Sequence, residues 1–243
     1  MRVAGIQPGY LPWLGYLDQI RRVDAFIVAD EMQFSSGGWA HHNRVRGPHG
    51  AYWLTLPARP LRGQRICEVT LDASVDWREQ HLRSLRHFYA RSPFAAPLID
   101  ELAAVMDARA SRLIDATMPI LRWLAAQFGL ATPLRLSSEL GLEARYADRF
   151  PERPGPTHRI IAFLQTLGAT HLLEGASGAD YLDVALCAEH GISVEFQHYA
   201  HPVYRQCFAP FISHLSALDL LLCTGVDGAR TALAGVPSPA ATG

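Results

Sequence analysis

Apolar positions near the start of the chain change their period within a few residues. Residues 2–6 form a short apolar run that reads as a buried strand. A Pro/Gly-rich turn follows, and then Leu14, Leu17, Ile20 and Val23 recur at helical spacing. Residues 25–29 form a second compact apolar strand, stopped by Asp30-Glu31. Strand, Gly/Pro loop, helix, strand is the opening of a βαβ unit. A parallel sheet with right-handed crossovers is therefore expected.

The same reading continues along the chain. Residues 35–43 are polar and read as a loop, 52–56 as a strand ending at Pro57, and 66–71 as another strand. Asp76 caps a helix over 77–89. The stretch 94–128 is helical, with a break expected at Met118-Pro119 and a C-cap at Gly129. Strands are expected at 134–138, 171–174 and 194–199, and helices at 157–167 and 181–190. The Pro/Gly-rich 151–156 reads as a mobile connection or lid. The fold class is thus α/β: a mostly parallel, Rossmann-like (HUP-like) sheet flanked by helices, with a helical subregion around residues 76–129. One domain is expected over 1–233, and a disordered tail over 234–243.

Composition narrows the chemistry. The net charge of -1 argues against DNA as a partner held by bulk charge. All 22 basic residues are Arg. Without Lys there is no Schiff base and no P-loop lysine, so anions must be held by Arg or backbone N–H groups. The four cysteines show no CxxC pattern, so neither a zinc site nor a disulfide framework is expected. The N-terminal apolar run is too short for a signal peptide, and no run reaches the roughly 18–20 residues of a membrane span. A cytoplasmic protein without membrane partners, metal or cofactor is expected.

An ordered set of unusual segments then carries a resemblance. It includes Gln7-Pro8, Tyr10-Leu11-Pro12-Trp13 and Gly15-Tyr16, then Asp30 with Gln33-Phe34-Ser35, and Trp39 with Asn43-Arg44. It continues through Trp53-Leu54-Thr55, Trp77 and His81, Ser137-Ser138-Glu139-Leu140, and Gly175 with Asp180-Tyr181-Leu182. It ends with His201-Pro202, Tyr204, Gln206 and Asp219-Leu220-Leu221. Over nearly its whole length the chain resembles the WbqC-like family of bacterial proteins. Members look to be encoded among O-antigen genes, and one has been proposed to transfer glycine to a sugar. The resemblance implies amide or ester formation with an amino acid. Where the family pattern has Phe-Asn-Cys-Gly this chain reads Leu222-Cys223-Thr224-Gly225, which weakens a thiol mechanism there. The Arg- and Ala-rich composition also fits natural-product biosynthesis in a high-GC bacterium.

Candidate residues follow from residue type and place. The loop after the first strand offers Gln7, Tyr10 and Tyr16 at a strand end, where parallel sheets bind ligands. It occupies the position of the His-x-Gly-His turn of class I synthetase-like enzymes but has Trp13 and Tyr16 instead. Asp30 is a base or amine anchor, or a cap, with Gln33 beside it. Arg44 is a bidentate clamp for carboxylate or phosphate, or half of an ion pair, with Asn43 adjacent. Residues 175–180 are an anion-binding glycine loop or a plain βα turn. The adjacent His41 and His42 diverge, and His198 and His201 lack a third metal ligand. His201 is the candidate general base, sharing an extended segment with Tyr204 and Gln206. Asp219 is a carboxylate in an apolar helix that needs a partner, with Arg44 or His201 the expected choice. Together these suggest an acyl- or aminoacyl-transferase acting on a small-molecule acceptor, with an acyl carrier protein or charged tRNA as donor. The alternatives are ATP-dependent ligation through an acyl-adenylate and a non-catalytic sugar- or peptide-binding protein.

Overall fold

A computed structural model describes residues 1–235. The opening forms as its pattern predicts: β1 (Arg2–Ile6), α1 (Leu14–Arg21) and β2 (Ala25–Val28). With β7 (Leu134–Leu136), β8 (His171–Glu174) and β9 (Ser193–Phe196) these strands make a five-stranded sheet, ordered β7-β2-β1-β8-β9, in which every pair is parallel. The chain winds outward from β1 to β2 and β7, then returns to the other side of β1 for β8 and β9. The sheet is thus a Rossmann-like arrangement that reverses direction between β1 and β8.

Alternation along the strands divides the core in two. Ala4, Phe26, Val28 and Leu173 face one side, against α1 and the helical subregion. Val3, Ile27 and Leu172 face the other side, against α6 (Leu142–Arg149), α7 (Pro156–Leu167) and α8 (Val184–Glu189).

Between β2 and β7 the chain inserts an antiparallel hairpin, β3 (His42–Gly47) and β4 (Gly50–Thr55), and a small pair, β5 (Ala58–Arg59) and β6 (Thr70–Leu71). The helical subregion comprises α2 (Trp77–Phe88), α3 (Ala95–Val105) and α4 (Leu113–Gln127). After β7 comes the short α5 (Ser137–Leu140), and the chain ends in α9 (Ala217–Ala234).

Three expectations change. The long helical stretch breaks between Val105 and Leu113, where Asp107 turns the chain by accepting from the Arg109 N–H at 2.8 Å. Pro119 lies inside α4 instead. It deletes one helical donor, while the buried residues on either side keep the helix docked. The strand expected over 66–71 is a 3-10 turn at Ile66–Glu68, closed by Arg65 and Glu68, followed by the short β6. The loop expected through Asn43 ends early, because β3 starts at His42. Ala234 ends α9 with Gly235 as its C-cap, and positions 236–243 of the expected tail lie outside the described residues.

Candidate functional site

A cavity of about 790 Å³ lies at the carboxyl ends of β1 and β8, within the usual range for small-molecule sites. It opens where the sheet order reverses, which is where doubly wound sheets bind ligands. Its floor is apolar and runs over Val3, Gly5 and Ile27 beneath Phe163 and Leu167 of α7. Gly5 is exposed although it lies in the central strand of the sheet. Its polar end carries Gln7, Gln19, Glu174, Ser177, Tyr181 and Gln197.

Gln7 and the first residues of the 175–180 loop are the sequence-predicted candidates in this wall. Glu174, the last residue of β8, was missed, although a carboxylate at a strand end followed by glycine is a readable signal. Burial raises its carboxyl above the usual range, opposed by hydrogen bonds from the Gly175 N–H and the Tyr181 hydroxyl. A Cβ on Gly178 would overlap the Glu174 side chain, so only glycine lets the carboxylate fold over this turn. The turn itself is a 3-10 helix, Ala176–Asp180. Gln19 and Gln197 were also missed, because neither is near the other in sequence.

Trp13 and Tyr199 complete the rim, edge to face with ring centroids 5.2 Å apart. The Trp13 indole lies across Gly15, where any Cβ would overlap the ring. Behind this wall sits His201, 6.1 Å from Tyr199 and 4.8 Å from His214 between ring centroids. Its Nδ1 contacts the Pro202 carbonyl at 2.8 Å. A carbonyl only accepts, so Nδ1 carries the proton and the Nε2 lone pair is free. Nε2 is buried without a partner among the described residues. Burial, with His214 nearby, lowers the His201 pKa and keeps the ring neutral near pH 7.

The other predicted residues stand elsewhere. Tyr10 is fully buried, its hydroxyl 2.8 Å from His81 Nδ1, and Tyr16 is a core residue against Phe26. Asn43 is buried and donates to the Leu11 carbonyl at 2.9 Å, holding Leu11 at φ 46. Gln33 is exposed and bridges to Arg65 through its backbone. Asp30 is fully buried and accepts from Ser137 Oγ, Ser138 N and Ser138 Oγ at 2.9, 3.0 and 2.5 Å. It caps α5 and lines a separate 350 Å³ cavity with Arg112 and Asp115. Arg44 projects beside Trp53 and Trp39, 5.4 and 5.9 Å from their rings, with no carboxylate partner among the described residues.

Tyr204, Gln206 and Asp219 do share one environment, centred on the carboxylate. Asp219 is fully buried and accepts from Tyr89 Oη, Tyr204 Oη at 2.7 Å, Gln206 Nε2 at 2.9 Å and the Arg46 N–H at 3.2 Å. Neither Arg44 nor His201 is its partner. Hydroxyl, amide and backbone donors hold the carboxylate in place of an ion pair, while the buried Arg46 guanidinium donates to the Gly47, Ala209 and Pro210 carbonyls.

Comparison with known sequences places the chain. A profile of the WbqC-like protein family matches residues 7–231. The chain belongs to the WbqC-like family. A relative from Mycobacterium tuberculosis (strain ATCC 25618 / H37Rv), "Uncharacterized protein Rv1507c", is 31% identical over 231 residues, covering 93% of this chain and 95% of the relative. The family match spans the cavity wall from Gln7 to Tyr199 and the Asp219 network. Among the described residues of this WbqC-like chain, no helix is long and apolar enough to cross a membrane, and no His, Cys, Asp or Glu cluster forms a metal set.

Proposed function

We propose that this WbqC-like protein is a cytoplasmic acyl- or aminoacyl-transferase that forms an amide or ester on a small acceptor such as an amino sugar. The observation that carries the reading is the neutral His201, with Nδ1 tied to Pro202 and Nε2 free, one ring behind the cavity rim. In the transfer step the acceptor nitrogen or oxygen attacks the donor carbonyl carbon and its proton passes to His201 Nε2. The new C–N or C–O bond forms, the donor's C–S or C–O bond breaks, and the imidazolium returns the proton to the leaving thiolate or alkoxide. Gln7 orients a substrate polar group at the strand end. Arg44, lacking a carboxylate partner among the described residues, holds a donor carboxylate or phosphate. An acyl carrier protein thioester or a charged tRNA is the donor, in O-antigen or natural-product biosynthesis.

Product mass spectrometry with purified protein, candidate thioesters and amines tests this. His201→Ala is expected to lose about 10²-fold or more in rate, while His201→Ala that turns over as wild type removes the base. The strand order favours a second reading, ligation through an acyl-adenylate, because nucleotides bind at such switch points. Release of pyrophosphate or AMP during turnover identifies it.

A further inference from the structure

The polar end of the cavity contains a hydrogen-bond chain whose direction is fixed. Asp18 is paired with Arg21 and Arg22 at 2.7 and 3.5 Å, and a carboxylate accepts only. Gln197 Nε2 donates to Asp18 Oδ2 at 2.8 Å and to the Gly15 carbonyl at 2.9 Å. Neither partner can donate, so the Gln197 NH2 must face them and its Oε1 must face Gln19. Gln19 must therefore donate, and its Nε2 does so at 3.0 Å. What remains is Gln19 Oε1, an acceptor without a partner among the described residues, on a side chain only 3% exposed in the cavity wall.

A second acceptor lies beside it. Glu174 Oε1 takes the Gly175 N–H at 2.9 Å, and the Gln19 amide rests on that same residue: a Cβ on Gly175 would be 3.7 Å from Gln19 Nε2. Gln19 and Glu174 both line this polar end, so a donor bound there has an amide oxygen and a carboxylate in the same wall. Trp13, Tyr181 and Tyr199 add aromatic faces to the same wall, a surrounding that suits a cation. The wall's Arg159 is already paired with Glu143 at 3.0 Å. Beyond the two acceptors the floor is apolar and bare at Gly5, where an added Cβ meets nothing closer than 3.7 Å.

We propose that this cavity binds a primary amine with an apolar body, its ammonium donating to Gln19 Oε1 and Glu174 and its body lying over Gly5. Under the transfer reading this amine is the acceptor, its ammonium first passing one proton to the Glu174 carboxylate to free the lone pair for attack; that assignment alone rests on the reading, and the binding does not. An alkyl- or aryl-amine is then favoured over an amino sugar.

Isothermal titration with n-hexylamine, 1-hexanol and hexanoate tests the site with probes of one chain length. Hexylamine is expected to bind roughly tenfold or more tightly than hexanol, with hexanoate weakest. Glu174→Gln is expected to weaken hexylamine about tenfold while leaving hexanol within about twofold. Gly5→Leu has room in the empty protein and is expected to abolish both while the unfolding temperature holds. Hexanol or hexanoate binding as tightly as hexylamine, or Glu174→Gln without effect on hexylamine, overturns the proposal. If hexylamine binds as described and no donor yields product, the amine site stands and the transfer reading falls. If product forms and hexylamine neither binds nor competes, only this inference falls.

Discussion

At the scale of single residues, His81 couples stability to pH. It sits under Tyr10, accepting that hydroxyl at Nδ1 and hydrogen-bonding to the Thr55 backbone, so both ring nitrogens are used by the neutral form. Burial lowers its pKa from 6.5 to about 4. Between those values the folded protein binds fewer protons than the unfolded chain, so this stabilisation is full above about pH 6.5 and is lost as pH falls toward 4. The loss is on the order of 3 kcal/mol. His41, lowered to about 4 by burial and by His42, acts in the same direction. Urea denaturation at pH 7 and pH 5 is expected to show this acid slope. His81→Gln, whose amide can serve both partners, is expected to reduce the slope, with His41 supplying what remains. His81 was legible only as part of a sequence pattern, because nothing local to Tyr10 says which helix covers it.

At the scale of elements, Asp219 ties four pieces together: α9, which carries it; β3, through the Arg46 N–H; the end of α2, through Tyr89; and the irregular segment 198–215, through Tyr204 and Gln206. Gln206 extends the tie by exchanging hydrogen bonds with the Ile212 backbone at 2.8 and 2.9 Å. Asp219→Ala strands several buried donors and is expected to cost about 3 kcal/mol or more by urea denaturation, with Asp219→Asn costing less. The sequence made the need for a partner plain, since an acid inside an apolar helix must be satisfied. It did not identify Tyr89, which lies 130 residues away on the chain. The misplaced helix break has the same origin. Pro119 is the stronger local signal, but the buried face of α4 outweighs one missing donor, and the Asp107 turn ends the preceding helix.

At the scale of the whole molecule, the cavity joins β1, β8, α1 and α7, so a ligand that fills it bridges both sides of the chain reversal. At a concentration of about 100 times its dissociation constant, such a ligand adds about 2.7 kcal/mol to the folded state. For a protein of this size the melting temperature is then expected to rise by roughly 5 to 10 °C, with no rise in Gly5→Leu. The α/β class, the βαβ opening and most element positions were determined by the sequence alone, because apolar periodicity and Gly, Pro and Asp punctuation act over a few residues. Strand order, the pairing of β1 with β8, and the meeting of Gln19 with Gln197 and Glu174 were decided only by the tertiary structure. These contacts join segments more than 150 residues apart. Gln19 follows Asp18 in α1, and it is the hydrogen bond to Gln197, just after β9, that sets its amide in the cavity wall.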